Sequence, residues 1–96
     1  MPTVNNSGVY LLSCPYSGTV MWKIGFAKDV YKRIKTHKTS NPLLEVIGYI
    51  ASEDYKWLEK EIHKKCSKYR YSTEWFFYKQ EIIDFFENHE QFKKIR

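Results

Sequence analysis

Residues 8–25 read GVYLLSCPYSGTVMWKIG, which contains two runs of strand-forming residues. The runs span Val9 to Ser13 and Thr19 to Ile24, and the residues between them include Pro, Ser and Gly. Such residues between two strand-like runs are typical of a hairpin, here with a loop of several residues. The hairpin would place the tripeptides at 8–10 and 23–25 on neighbouring antiparallel strands.

A helical pattern begins after the hairpin. Asp29 is a suitable N-cap, and Asn41-Pro42 ends the segment because the residue before a proline is disfavoured in a helix. One face carries residues at the i, i+3, i+4 and i+7 spacing, namely Val30, Arg33, Ile34 and His37. The pattern predicts a helix whose sheet-facing side includes two polar residues. Gly25, just before this helix, is expected to end the second strand.

The second half of the chain predicts one further long strand and two helices. Residues 43–50 are apolar enough for a strand, and residues 75–77 for a short extended piece. Ser52 is expected to cap a helix with the buried stripe Leu58, Ile62, Cys66 and Tyr69, and residues 80–88 form the last helix. This order of elements predicts an α+β fold, a small three-stranded antiparallel sheet flanked by helices.

Length and composition predict one intracellular domain. A chain of 96 residues, 43% of them hydrophobic, has material for a single core. We expect one domain over residues 1–96, with its core in residues 8–88. Cys14 and Cys66 make no disulfide framework, and residues 1–6 resemble no secretory signal. No membrane contact is expected, and the protein would work in the cytoplasm of a prokaryote or phage-infected host, or in a nucleus if its source is eukaryotic or viral.

The charge balance favours a polyanionic partner. Sixteen Lys and Arg against eleven Asp and Glu give a net charge of +5. Two groups of lysines are the candidate nucleic-acid contacts, Lys32, Lys35 and Lys38 in the first helix and Lys60, Lys64 and Lys65 in the second. A basic domain of this size is typical of nucleic-acid binding, and a solvated helix face is the alternative for the second group.

Four pieces of the chain carry a family resemblance. They are Gly8-Val9-Tyr10, Lys23-Ile24-Gly25, the helix bearing Arg33, and Glu74 beside Trp75 and Phe76. In this order they resemble the GIY-YIG nuclease superfamily over residues 8–86, and most of all its compact phage and prokaryotic branch with a Lys-Ile-Gly second triplet. Members of the superfamily cut DNA with one divalent ion. The resemblance therefore implies a metal-dependent endonuclease with a GIY-YIG-like fold.

The residue types suit phosphodiester hydrolysis. This reaction needs an activated water and groups that stabilise charge on the phosphate. A carboxylate can hold Mg²⁺ or Mn²⁺ while waters and phosphate fill the other positions, so Glu74 is the predicted metal ligand. Arg33 offers a planar, permanently charged fork for phosphate oxygens. The alternatives are a surface glutamate, and a salt bridge from Arg33 to Asp29.

Tyr10, His37 and Lys23 complete the predicted site. Tyr10 and His37 would position or activate the water, and as a base Tyr10 would need its phenolic pKa lowered by Arg33, Lys23 or the metal. A core tyrosine and a half-buried structural histidine are the alternatives. Lys23 stands where the superfamily has its second tyrosine, so it either contacts a phosphate or acts as a base with a lowered pKa.

Two other classes of function compete with the endonuclease. The substitution at Lys23 favours a nucleic-acid-binding module that keeps the fold and does not cut. A protein-interaction domain would use an exposed aromatic patch late in the chain, made of Tyr69, Tyr71, Trp75, Phe77 and Tyr78. DNA is the expected partner, with RNA as an alternative, and the protein is expected to be a monomer or a weak homodimer.

Overall fold

The structure is a computed structural model that describes residues 6–95. Its strands are β1 (Gly8–Tyr16), β2 (Thr19–Ala27), β3 (Glu45–Ala51), β4 (Arg70–Ser72), β5 (Trp75–Phe77) and β6 (Phe92–Lys94). Its helices are α1 (Val30–Ser40), α2 (Tyr55–Lys65) and α3 (Gln80–Glu87), and a short 3₁₀ turn covers Ser67–Tyr69. The expectation that the N-terminus carries no signal sequence falls mainly on residues 1–5, which lie outside the described residues.

The hairpin forms with a tighter turn than the sequence predicted. Tyr16 pairs with Thr19, so only Ser17 and Gly18 connect the strands. Both residues have positive φ, 48° and 81°, the backbone that two-residue hairpin turns need to match strand twist. The predicted loop of several residues was wrong because Cys14, Pro15 and Tyr16 extend β1.

The sheet has six strands, so the prediction of three strands was wrong although the α+β class is right. The strands lie in the order β4-β5-β2-β1-β3-β6, and every neighbouring pair is antiparallel. The strands β4 and β6, which the sequence did not predict, occupy the two edges and span three residues each. Short, charged strands are typical of sheet edges and show no alternating pattern that sequence reasoning can detect.

Each face of the sheet has its own helical cover. On one face, here called the α1 face, Val30 and Ile34 of α1 pack with Tyr10, Leu12 and Cys14 of β1. On the other, Ile62 of α2 and both Ile82 and Phe86 of α3 pack with Val9, Leu11, Trp22 and Ile24. The odd and even residues of β1 therefore serve two separate cores, as expected for a strand buried on both sides.

The helix caps agree in part with the sequence. The prediction that Asp29 caps α1 is confirmed, because its carboxylate accepts a hydrogen bond from the Lys32 N–H at 3.2 Å. The prediction that Ser52 caps α2 was wrong, since the N-cap is Asp54 and the Ser52 hydroxyl accepts from the Asp54 N–H at 3.1 Å. The predicted buried stripe also extends too far along the chain, because α2 ends at Lys65. Cys66 is its C-cap, and Tyr69 lies in the following 3₁₀ turn. Among residues 6–95 no helix has the length and apolarity needed to span a bilayer.

Candidate active site

A buried tyrosine and a histidine form the centre of the candidate site. Tyr10 lies on β1 with 1% of its surface exposed, facing α1. Its hydroxyl is 3.0 Å from Nε2 of His37, one turn beyond Arg33 on α1. The i, i+4 spacing of Arg33 and His37 points both side chains of α1 toward the same end of β1 and β2. The structure therefore joins the first tripeptide to the predicted helix residues.

Gly25 lets a carboxylate approach this tyrosine. Gly25 lies directly opposite Tyr10 in the hairpin. A Cβ atom at this position would overlap both the Tyr10 hydroxyl and Oε1 of Glu74. Glu74 is held there because its carbonyl accepts a hydrogen bond from the Ile24 N–H at 2.9 Å. The expectation that Gly25 ends β2 was wrong, since the strand continues to Ala27. The glycine instead provides room where the two motifs meet Glu74.

Glu74 and Arg33 line a polar pocket of about 310 Å³, and Tyr10 lies next to it because its hydroxyl adjoins the Glu74 carboxylate at Gly25. Its lining consists of Phe26, Arg33, Glu59, His63, Arg70, Thr73 and Glu74. The pocket lies where the pairing of β5 with β2 ends, at the pair of Trp75 and Lys23, and beyond this pair Glu74 takes the place of a strand partner by accepting from the Ile24 N–H. Side chains of α2 reach this point from the other side of the sheet, and Nε2 of His63 lies 3.2 Å from the Ile24 carbonyl oxygen. Four separate elements thus contribute polar groups to one cavity.

Sequence reasoning missed Glu59, His63 and Arg70. Glu59 and His63 lie at i and i+4 on α2, with Oε2 and Nε2 separated by 3.8 Å. This spacing was visible in the sequence, but α2 packs mainly on the face opposite α1, so nothing local indicated a shared pocket. Arg70 is in the unpredicted β4, where its Nε donates a hydrogen bond to the Thr73 carbonyl at 2.9 Å. That contact supports the turn that carries Glu74.

Burial and charge keep Tyr10 protonated and His37 neutral. Burial first, and then the Glu74 carboxylate, raise the pKa of Tyr10 to about 12, although Arg33 acts in the opposite direction. The lowering that a tyrosine base would need is therefore absent. Burial, with the positive charges of Lys23 and Arg33, lowers the pKa of His37 below 6.5. At neutral pH His37 can thus accept a hydrogen bond at Nε2 from the Tyr10 hydroxyl.

The two carboxylates of the pocket repel each other. Burial, followed by the charge of Glu74, raises the pKa of Glu59, while Arg70 partly compensates. Burial likewise lowers the pKa of His63. His63 is therefore uncharged near neutral pH and does little to neutralise Glu59. The pocket places the carboxylates of Glu59 and Glu74 close to each other, between the guanidinium groups of Arg33 and Arg70, so its formal charges balance.

Lys23 projects from the same face as Tyr10. It pairs across the sheet with Leu12 on one side and with Trp75 on the other. Its ammonium group lies 5.3 Å from the centre of the Trp75 ring, within the range of a cation–π contact. The residue at the position of the superfamily's second tyrosine therefore lies beside the candidate site, on the sheet face that α1 covers and close enough to affect the pKa of His37.

The predicted lysine contacts separate into different surfaces. Lys60 and Lys64 line a depression that shares Glu59, His63 and Arg70 with the polar pocket. The ammonium of Lys65 instead lies 5.9 Å from the centre of the Phe85 ring, toward α3. Lys32, Lys35 and Lys38 are exposed along α1. Only Lys60 and Lys64 thus adjoin the pocket directly, and nucleic-acid contact by any of these lysines stays a prediction.

The pocket fits a divalent ion that keeps most of its waters. Among residues 6–95 no group of three or more His, Cys, Asp and Glu side chains is arranged to hold a metal. Mg²⁺ often binds through one or two carboxylates together with substrate phosphate and water, rather than in an all-protein cage. Glu74, with Glu59 lining the same pocket, is an oxygen donor set of this kind. Glu74 as the metal ligand remains a prediction.

The architecture is that of a small α+β domain with a polar pocket at the edge of its central hairpin. The sequence profile of the T5orf172 domain matches residues 7–94, and the chain belongs to that family. The domain is phage-associated and occurs in some nuclease-like proteins, which suggests a role related to nucleic acid. No curated protein and no solved structure matches the chain at a significant level.

Proposed function

We propose that this protein is a GIY-YIG-type endonuclease that hydrolyses phosphodiester bonds in DNA with one Mg²⁺ or Mn²⁺ ion. The observation that carries the proposal is the hydrogen bond of 3.0 Å between Tyr10 and His37, formed where Gly25 makes room for Glu74. An acceptor, a hydroxyl and a carboxylate thus meet beside Arg33, in a domain with a net charge of +5.

The residues suggest a separate role for each side chain in the hydrolysis. His37 accepts the Tyr10 proton while the phenolic oxygen takes a proton from the attacking water, which avoids a free tyrosinate. The water oxygen then bonds to phosphorus, the bond to the departing 3′ oxygen breaks, and that oxygen takes a proton from solvent. Arg33 binds the non-bridging phosphate oxygens, whose negative charge its fork matches. Lys23 contributes a second positive charge along the backbone.

Glu74 would hold the metal, with Glu59 as a further oxygen donor. When bound, the ion would supply Lewis-acid stabilisation of charge on the phosphate. The repulsion between the Glu59 and Glu74 carboxylates supports binding of a cation between them, because a cation would relieve it.

Nicking of supercoiled plasmid tests this function. Wild type, Glu74→Ala and Glu87→Ala are compared with Mg²⁺ or Mn²⁺ and with a chelator. Glu87 is the matched control, since it is an exposed glutamate at the end of α3. We expect metal-dependent open circles from wild type and Glu87→Ala, and a loss of at least about a hundredfold in Glu74→Ala. Undiminished cleavage by folded Glu74→Ala would remove Glu74 from the site.

A nucleic-acid-binding module that does not cut is the second candidate. The specific observation in its favour is Lys23, which cannot replace a tyrosine hydroxyl and lies over the Trp75 ring. Intact plasmid under all metal conditions, with salt-sensitive binding by the wild type, would favour this function. The same assays with an RNA duplex distinguish the two nucleic acids.

A further inference from the structure

A second surface lies at the hairpin-turn end of the sheet, away from the polar pocket. A groove of about 580 Å³ runs between the β1–β2 turn and the end of β5. We name it the aromatic groove, and its lining includes Tyr16, Tyr71, Phe77, Tyr78 and Lys79. Three of the rings are strongly exposed, with 52% of Tyr71, 45% of Phe77 and 57% of Tyr78 accessible. Exposed apolar patches of this kind mark binding surfaces.

The exposed rings are held in place by one another. The Tyr71 ring packs edge-on against Tyr16 and against Phe77, with centroids 5.7 Å apart in both pairs. On the other side of the groove, Tyr78 stacks on the buried Trp22 at 4.5 Å. Rings fixed in this way lose little conformational entropy when a flat ligand stacks on them.

The groove continues into the candidate active site. Tyr16 contacts Trp75, with ring centroids 5.1 Å apart. Trp75 follows Glu74 directly in the chain and carries the Lys23 ammonium over its ring. Lys23, Trp75 and Phe77 lie on the same sheet face as Tyr10, because directly paired residues of antiparallel strands share a face. A ligand could therefore extend from Phe77 past Trp75 to the pocket without crossing the sheet, whereas Tyr78 stacks on Trp22 of the opposite face.

The charge of this surface indicates the kind of ligand. Lys79 belongs to the groove lining, Lys23 lies between the groove and the pocket, and none of the described lining residues is acidic. Aromatic rings with flanking cations match a ligand that alternates flat faces with negative charges. Unpaired nucleotides have this chemistry, whereas in a duplex the base faces are hidden by stacking.

We propose that the aromatic groove stacks the unpaired bases of a nucleic-acid strand whose backbone passes over Lys23 to the polar pocket. This inference rests on the proposed function only because it assumes a nucleic-acid substrate. It specifies the class of that substrate as a duplex with a single-stranded tail or flap. A protein helix is the competing occupant, and it would match Lys23 and Lys79 only if it carried acidic side chains.

Binding in the presence of a chelator tests the groove independently of cleavage. Fluorescence anisotropy compares a blunt duplex with the same duplex carrying an unpaired tail of about eight thymidines. We expect wild type to bind the tailed duplex about tenfold more tightly. The double substitution Tyr71→Leu with Phe77→Leu should remove this preference and leave blunt-duplex binding unchanged, since leucine keeps apolar bulk and lacks a ring face.

Two control variants separate stacking from general loss of apolar surface. Tyr71→Phe keeps the ring and should retain the preference. Trp57→Leu removes an aromatic residue that is 63% exposed on α2, outside the groove, and should also retain it. Thermal unfolding confirms that each variant is folded.

The outcomes distinguish this inference from the nuclease proposal. Equal affinity of wild type for tailed and blunt duplexes would overturn the groove assignment, as would an unchanged preference in the folded double variant. A tail preference that needs the rings, in a protein that cuts nothing in the plasmid assay, would support the groove and reject the nuclease. No binding to either duplex would overturn both and favour a protein occupant.

Discussion

The candidate active site and the aromatic groove both contain tyrosines, but in opposite environments. Tyr10 is 1% exposed, and its hydroxyl is hydrogen-bonded to His37. Tyr71 is 52% exposed, and its ring packs against the rings of Tyr16 and Phe77. The difference arises because α1 covers the sheet over Tyr10 and leaves the hairpin-turn end open. Burial holds the Tyr10 hydroxyl against one hydrogen-bond partner, whereas exposure leaves the Tyr71 ring available to a ligand.

The largest expected effect comes from closing the space at Gly25. In Gly25→Ala the added methyl overlaps the Tyr10 hydroxyl and the Glu74 carboxylate, so we expect a loss of nicking of at least about a hundredfold. The crowding should also lower the free energy of unfolding by about 2 kcal/mol, measured by urea denaturation.

Gly18→Ala is the matched control for this substitution. A Cβ atom at Gly18 would meet no other atom within 4 Å, but the residue has a φ of 81°, so alanine there is strained without crowding the site. A cost of about 1 kcal/mol with full nicking is expected. Equal loss of activity in both variants would show that general instability, and not the pocket geometry, explains the effect.

The second-largest expected effect is on the pH dependence of nicking, which should depend on the candidate active site and not on the aromatic groove. Burial, and then the positive charges of Lys23 and Arg33, lower the pKa of His37. His37 must be neutral to accept a proton, so nicking should be constant around neutral pH and fall as the pH drops through the lowered pKa of His37.

His37→Asn should flatten this profile at a rate about a hundredfold lower, in line with the usual contribution of general acid–base groups. Tyr71→Leu should leave the shape of the wild-type profile unchanged, because Tyr71 lies in the other region. An acid limb that persists in His37→Asn would assign the titration to another group.

The smallest expected effect concerns stability at Glu59. Its pKa is raised above 4.5 in the folded protein, so its ionisation disfavours folding, and this cost appears as the pH rises through 4.5 and persists above the folded pKa. Glu59→Gln should therefore be more stable than wild type at pH 7 in metal-free buffer, by less than about 1 kcal/mol. At pH 3.5, well below the usual carboxyl pKa, the gain should vanish.

Thermal unfolding at both pH values measures this difference, with the exposed Glu87→Gln as the control that should not change. A Glu59→Gln protein that is less stable than wild type at pH 7 would contradict the repulsion between Glu59 and Glu74.

Local pattern predicted the centre of this fold and failed at its edges. The hairpin, α1 and its Asp29 cap followed from runs of strand formers, helical spacing and capping chemistry, all of which act between near neighbours. The strands β4 and β6 were missed because three residues hold no alternation, and their conformation depends on pairing with β5 and β3.

The sequence likewise predicted some residues of the candidate site and missed others. Tyr10 and His37 were singled out from the sequence and prove to be hydrogen-bonded, while Glu59, His63 and Arg70 were missed. Glu59 and His63 reach the pocket from α2, beside the point where β5 begins to pair with β2, and Arg70 reaches it from β4.

The sequence by itself determined that a hairpin and a helix capped by Asp29 form in the first half of the chain, because strand propensity, turn residues and capping act over a few residues. Only the tertiary structure decided that helices on opposite faces share one pocket at the start of β5. It also decided that the rings near the hairpin turn stay uncovered. These outcomes depend on where strands end and what packs over them, and such contacts join residues far apart in the chain.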